Sequence, residues 1–261
     1  MKTEKKLLFF EEAPGGGLEV WQHGSIRTLY IRNRKAIQSR LDMVQKEKLQ
    51  LQPTRAMMSF LLFQEKPQSL LLLGLGGGGI IHFLTHWFPE LNITAVDVDE
   101  RIVSIGKKYF ALSPLLATPQ VTIKNDDALS YLKKSKQGKE SVILVDLHDG
   151  DSLPVFLYTP AFMAHCFDSL LPGGVLVINV IVEDESGFTS LLVALRHVFT
   201  DVSFCMTFEN QKNILLFAFK APGSLDLTLL PLKASQCQKK YGIEFEAFIN
   251  NVTRINARYE L

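Results

Sequence analysis

The sequence predicts an α/β fold: a mostly parallel sheet with helices on both faces, preceded by a small antiparallel β-subdomain. Three observations carry the prediction. From Ser69 onward, short apolar runs alternate with helical stretches, the pattern of βαβ units. Leu70-Leu71-Leu72-Leu73 is apolar at every position, as a strand buried on both faces requires, and it runs straight into Gly74-Leu75-Gly76-Gly77-Gly78-Gly79. Before it, the first forty residues break into short β-like runs separated by turn residues.

In that first part, residues 18–21, 26–31 and 36–41 read as strands, with Gly15-Gly16-Gly17, His23-Gly24-Ser25 and Asn33-Arg34 as turns. After Pro53, residues 54–65 carry Met57, Phe60 and Leu61 at helical spacing. The α/β pattern then gives strands at 70–73, 92–98, 121–124, 141–146 and 174–180. Helices fall at 80–88, 100–110, 128–134 and 159–171. Residues 201–208 and 213–219, separated by the polar Glu209-Asn210-Gln211-Lys212, read as a hairpin at the sheet edge, and 233–258 as a mixed helical tail. No repeat or flexible linker interrupts the chain. The division is therefore 1–52 for the β-subdomain and 53–261 for the α/β domain with its tail.

Composition bounds the function. At 261 residues the chain can bury a sizeable core, and 18 Phe with 47% hydrophobic content argue against disorder. Its 28 Lys+Arg against 27 Asp+Glu give a formal net charge of +1, which removes the electrostatic case for a nucleic-acid or membrane-surface partner. No run approaches the roughly 20 apolar residues of a membrane span, and residues 1–12 lack the apolar length of a secretory signal. Cys166, Cys205 and Cys237 are far apart and without metal-ligand spacing. They read as free thiols of a reducing compartment, and the protein as cytoplasmic.

Chemistry concentrates at the strand ends. Glycine between a buried strand and a helix lets backbone approach a ligand without a Cβ in the way, although tight strand-to-helix turns also use it. The loop lacks the Lys-Ser/Thr ending of a P-loop, which disfavours a nucleoside triphosphate. At the end of the next strand, Asp97 stands where a carboxylate accepts hydrogen bonds from ribose hydroxyls; Asp99, before Glu100-Arg101-Ile102, serves equally as a helix N-cap. Asn125-Asp126-Asp127-Ala128 follows the third strand, where an acid can meet an adenine amino group. Asp146-Leu147-His148-Asp149 follows the fourth. Glycine or acid at four strand ends on one rim makes a ligand crevice.

With residues 70–79, 95–110, 127–132, 142–149 and Leu170-Leu171-Pro172-Gly173-Gly174, the chain resembles the spermidine synthase-like (polyamine aminopropyltransferase) family. That family lies within the class I S-adenosylmethionine-dependent methyltransferase superfamily, and the resemblance spans roughly residues 18–220. It implies a Rossmann-like seven-stranded methyltransferase sheet ending in an antiparallel hairpin, a small N-terminal β-domain and a homodimer. It also implies transfer of an aminopropyl group from decarboxylated S-adenosylmethionine to a diamine in polyamine biosynthesis, without a metal. Carried over by position, Gly74, Gly76, Gly78 and Gly79 line the sulfonium end of the nucleoside, Asp97 holds the ribose and Asp127 the adenine. Asp146 matches the acid that deprotonates and positions the attacking amine. Asp149 matches the second acid, which binds the amine substrate, and Gln38 a glutamine of the N-terminal hairpin. Physically, a protonated amine and a cationic sulfonium repel, and a carboxylate between them screens that repulsion and can take the proton.

The chain departs from the family pattern at three places. Gly77 stands where an Asp is usual, Pro53-Thr54-Arg55-Ala56-Met57-Met58 replaces a Tyr and acidic pattern, and Thr207-Phe208-Glu209-Asn210 replaces an aromatic-rich substrate segment. An acid at position 77 would repel the carboxylate of ordinary S-adenosylmethionine by roughly 4 kcal/mol at about 4 Å and an effective dielectric of ~20. Without it, ordinary S-adenosylmethionine fits as well. Two alternatives therefore stand beside the transferase: a methyltransferase using ordinary S-adenosylmethionine on an unknown acceptor, and a non-catalytic nucleoside-binding protein.

Among the remaining candidates, His82 and His86 lie four apart on a helix, but without a third ligand they read as surface or core histidines. His148 reads as a proton acceptor at the crevice or as an ordinary loop histidine. Arg55 reads as an uncommitted helix residue, with a substrate carboxylate as its alternative partner. Asn179 reads as a pocket-lining residue at a strand end or as a turn former, and Trp21 and Trp87 as packing residues.

Overall fold

The computed structural model describes residues 4–12, 17–31, 36–135, 137–148, 153–182, 184–200, 202–208, 212–221 and 227–254. An antiparallel sheet comes first, with strands β1 (Lys6–Glu11), β2 (Leu18–His23), β3 (Ile26–Ile31) and β4 (Ala36–Asp42) in that order. β1 is additional to the sequence expectation. Its apolar residues Leu7-Leu8-Phe9-Phe10 are consecutive rather than alternating, and its pairing with β2 slips between Leu7 and Phe9, so the period-two signal is lost.

The second sheet contains β5 (Ser69–Leu73), β6 (Asn92–Asp97), β7 (Val121–Asn125), β8 (Glu140–Val145), β9 (Leu170–Ile181), β10 (Ser203–Thr207), β11 (Asn213–Phe219) and β12 (Val252–Arg254). Their order is β12-β10-β11-β9-β8-β5-β6-β7. β5 to β9 pair in parallel, and β11 inserts antiparallel between β9 and β10. The first parallel strand, β5, is thus central, and the chain order reverses between β5 and β8. Such a switch point opens a crevice at the carboxyl ends of the strands. Seven strands match the expected sheet; β12 is an eighth, paired to the outside of β10.

Strand side chains alternate between faces, and this sorts the core into two layers. Leu70, Leu72, Val142, Leu144, Val175 and Val177 face one cluster; Leu71, Leu73, Ile143, Val145, Leu176 and Ile178 face the other. The first cluster is covered by α1 (Gln52–Met57), α2 (Gly79–Trp87), α3 (Glu100–Tyr109), the single turn α4 (Ser113–Leu116), α8 (Leu230–Tyr241) and α9 (Phe245–Ile249). Val20, Leu29 and Leu41 of the N-terminal sheet join the same cluster, so that sheet is packed onto the α/β core. The second cluster is covered by α5 (Ala128–Lys134), α6 (Pro160–Ser169) and α7 (Glu185–Val198).

Three further departures have local causes. The helix expected over 54–65 stops at Met57 and continues as a fully buried 3₁₀ turn, Met58–Leu62, the tighter winding common at an α-helix end. α7 lies in a stretch without a helical expectation. Its opening Glu185-Ser186-Gly187 is a weak helix former, and the legible signal is Asp184, whose Oδ1 accepts from the Gly187 N–H at 2.7 Å as N-cap. The tail is not helical to its end: Gly242, at φ 68°, stops α8, and the chain returns through α9 to β12.

Candidate functional site

Backbone geometry builds the floor of the crevice. Gly74 leaves β5 at φ 96°, and a Cβ on it would be driven into the carbonyl of Asp146, so the loops after β5 and β8 meet because this residue has no side chain. Gly78, left-handed at φ 75°, is the N-cap of α2, and Gly79 is its first residue. A Cβ on Gly76 would stand 3.5 Å from both the Gln38 carbonyl oxygen and the Ser39 Cβ. β4 therefore lies across the glycine loop and brings Gln38 to it.

Asp97 ties this loop to the end of β6. Its Oδ2 accepts from the Leu75 N–H at 2.9 Å and its Oδ1 from the Asp99 N–H at 3.0 Å. Burial, outweighing those donors, raises its carboxyl above the ordinary carboxylate range. The Gly76 N–H also holds this carboxylate, which still has acceptor capacity left for a hydroxyl. Asn125 Nδ2 donates to the carbonyls of Asp97 and Val98 at 2.9 and 3.0 Å, joining the ends of β6 and β7. Asp99 is the N-cap of α3: its Oδ1 accepts from the Arg101 N–H at 2.9 Å, and hydrogen bonds from the Arg101 side chain hold its carboxyl low. Asp127 caps α5, its Oδ1 accepting from the Ser130 N–H at 2.8 Å.

At the end of β8 a polar chain crosses three neighbouring strands. Asn213 Nδ2 donates to Asn179 Oδ1 at 2.9 Å, and Asn179 Nδ2 donates to Asp146 Oδ1 at 2.8 Å. Asn179 is 3% exposed and lies within β9, so it is no turn former. His148 Nε2 lies 3.5 Å from the same Asp146 oxygen. Burial opposes the charge on Asp146, but His148 and Asn179 outweigh it and hold the carboxyl below its ordinary value. Burial likewise opposes protonation of His148, and Asp146 outweighs it and raises the imidazole. Asp149 lies outside the described residues. Asn213 escaped sequence reasoning; its one signal is a polar residue opening an otherwise apolar strand.

Position 77 has a geometry of its own. A Cβ on Gly77 would stand 2.8 Å from Phe110 Cδ1 and 2.8 Å from Ser39 Oγ, so the space beside this backbone is already filled.

The other candidates fall away from the crevice. Arg55 makes a two-pronged pair with Glu244, with Nε and Nη2 at 2.9 and 2.8 Å from Oε1. His82 is buried, its Nε2 2.7 Å from the Phe110 carbonyl, and His86 stacks edge-on against Trp87. Trp87 also packs on Phe83 and Tyr241. Among the described residues no three His, Cys, Asp or Glu side chains are grouped to hold a metal ion.

A central β5, reversal between β5 and β8, an antiparallel β11 and a glycine loop at the switch point define an α/β protein of the class I methyltransferase fold. Within that class the chain belongs to the spermine/spermidine synthase domain family, whose sequence model matches residues 53–219. The polyamine aminopropyltransferase of Chromobacterium violaceum is 29% identical over 240 residues, 92% of this chain and 90% of that protein. The eEF1A lysine and N-terminal methyltransferase of Homo sapiens is 29% identical over 167 residues, 60% of this chain and 23% of that protein. Among solved structures, a probable spermidine synthase from Corynebacterium glutamicum superposes with a TM-score of 0.73 at 19% identity, covering 88% of this chain and 86% of that one.

Proposed function

We propose that this chain transfers an aminopropyl group from decarboxylated S-adenosylmethionine to a diamine, as a step of polyamine biosynthesis. The observation that carries this reading is the family match over residues 53–219, a span that holds the whole glycine loop and all four strand ends. In this reading Gly74, Gly76, Gly78 and Gly79 receive the sulfonium end of the nucleoside. Asp97 accepts the ribose hydroxyls on its remaining lone pairs, and Asp127 meets the adenine. Asp146 acts beside the attacking amine, and Gln38 and Asp149 hold the rest of it. The amine nitrogen attacks the methylene bonded to sulfur, and the C–S electron pair leaves on sulfur as a neutral thioether.

The reading carries a division into a β-subdomain, 1–52, and a catalytic domain, 53–261. It places a homodimer in the cytoplasm. The free thiols support a reducing compartment, and the exposed apolar Leu7, Phe10 and Ile37 of the N-terminal sheet support self-association. Among the described residues no helix is long and apolar enough to cross a membrane.

A second reading, methylation from ordinary S-adenosylmethionine, is favoured by Gly77, because Phe110 and Ser39 occupy the place of an acid that would repel the methionine carboxylate. One experiment separates the readings: mass spectrometry of the purified protein incubated with both nucleosides and a mixture of diamines and polyamines. Diamine-dependent release of methylthioadenosine is the expected product. S-adenosylhomocysteine in its place would favour the second reading, and tight binding of both nucleosides without product would favour a binding protein. Asp97→Ala weakens nucleoside binding about tenfold or more under every reading, for the loss of one charged hydrogen-bond acceptor.

A further inference from the structure

We propose that His148 accepts the proton of the attacking amine, and that Asp146 orients and stabilises the imidazole instead of taking the proton itself. The inference rests on aminopropyl transfer being the reaction and assigns a different acceptor at the same site.

The argument begins with the anchoring of Asp146. Its Oδ1 receives the Asn179 N–H at 2.8 Å, and Asn179 is itself fixed by Asn213 at 2.9 Å. The carboxylate is therefore held from the β9 side, and its Oδ1 faces His148 Nε2 at 3.5 Å. An ionised carboxylate can only accept hydrogen bonds, so the ring nitrogen facing it carries a hydrogen. In the neutral imidazole that leaves the lone pair on Nδ1. His148 Nδ1 is buried and has no hydrogen-bond partner. A buried ring nitrogen without a partner is costly and calls for a group to meet it, and that place, on the rim at the end of β8, is assigned to the substrate. An amine N–H is a donor of the right kind. The Nε2 to Oδ1 separation is long, as such bonds are before a substrate arrives, and it tightens once the ring becomes cationic.

The charges point the same way. Asp146, held below the ordinary carboxylate range, is a poor acceptor from an ammonium group, whereas the imidazole is raised by the same contact. Among the described residues Asp146 is the charged group acting on the ring, and Asn179, which shares its oxygen, is neutral. In the step itself, the ammonium gives one proton to Nδ1 and the freed nitrogen pair bonds to the methylene on sulfur. The C–S pair leaves on sulfur, and the imidazolium later returns its proton to solvent. The new secondary amine keeps the charge that the sulfonium loses.

The test measures methylthioadenosine release from decarboxylated S-adenosylmethionine and a diamine between about pH 5.5 and 9.5, a range that brackets imidazole titration. Wild-type kcat/KM rises along an acid limb set by His148, at a pH above the ordinary histidine value. His148→Gln loses roughly 10²–10⁴-fold in kcat, keeps its affinity for methylthioadenosine, and loses that limb. Added imidazole restores part of the activity of His148→Gly. A His148→Gln enzyme that keeps the limb, or a His148→Gly enzyme that binds nucleoside normally and gains nothing from imidazole, overturns the assignment. Nitrogen-15 NMR of the ring supplies a readout without turnover: the His148 titration moves to lower pH in Asp146→Asn, and an unmoved titration also overturns it. A wild-type protein that releases S-adenosylhomocysteine, or no product with any amine, overturns the proposed function before any variant is compared.

Discussion

Replacing Asn179 with Asp turns the anchor of Asp146 into a repulsion. Asn179 is 3% exposed and gives its N–H to Asp146 Oδ1 at 2.8 Å. The variant puts a second carboxylate there, with charge centres about 4 Å apart, and at an effective dielectric of ~20 the two charges cost ~4 kcal/mol, or about 3 pKa units. Such a pair shares one proton, so the variant gains a group whose folded value lies above its unfolded value. The stability tied to that proton is present in acid and is lost as pH rises through the raised value. Urea unfolding should therefore show Asn179→Asp within ~1 kcal/mol of wild type near pH 4.5 and weaker by ~3–4 kcal/mol at pH 8, with a melting point lower by about 2–4 °C per kcal/mol. Wild type runs the other way. Its Asp146 carboxyl is lowered, so that contribution is present above the ordinary carboxylate value and fades as pH falls through the folded one. Asn179→Leu supplies the control, with a loss that does not grow toward alkaline pH. An Asn179→Asp deficit equal at both pH values would refute the contact, because a carboxylate clear of Asp146 has no reason to hold a proton.

Other perturbations follow from the same geometry. Gly77→Asp costs about 1–3 kcal/mol, since its Cβ meets Phe110 and Ser39 at 2.8 Å, and Ser39→Gly should recover part of that loss in thermal melts. Gly74→Ala costs roughly 1–2 kcal/mol for its left-handed backbone alone. It also displaces the Asp146 carbonyl, so turnover should fall more steeply than stability; a variant with normal turnover would detach Asp146 from the glycine loop. His148→Gln removes a stabilising contribution that wild type holds in acid and loses as pH rises through the raised imidazole value, so the two unfolding curves should converge toward alkaline pH. Arg55→Ala costs under about 1 kcal/mol, because its pair with Glu244 is partly exposed and screened, and added salt should shrink the difference further.

Much of the fold was legible because its signals are local. β5 is buried on both faces, so all four of its leucines had to be apolar, and the turn after it had to be glycine where the chain passes against Asp146. The acids at the ends of β6 and β8 showed as single residues closing apolar runs, and those after β7 as the pair Asp126-Asp127 before a helix. β1 and α7 were not legible, because a bulge breaks the period in one and a serine-glycine opening weakens the other. At the site the sequence separated acid from glycine, yet it could not separate a cap from a ligand group. Asp97, Asp99 and Asp127 all close a strand or open a helix, and each takes at least one backbone N–H.

By itself the sequence determined the alternation of strands and helices from β5 to α6, the glycine turn and the presence of acids along one rim, because periodicity and turn chemistry act within a few residues. The tertiary structure decided which distant side chains meet. Asp146 and Asn179 are 33 positions apart, as are Asn179 and Asn213 within one residue, and they touch because β8, β9 and β11 are neighbours in the sheet. The filling of the space beside Gly77 by Phe110 and Ser39 was decided in the same way, as was the capture of Arg55 by Glu244. Strand order and the packing of β4 over the glycine loop are global outcomes of burying two apolar faces at once, and no local pattern encodes them.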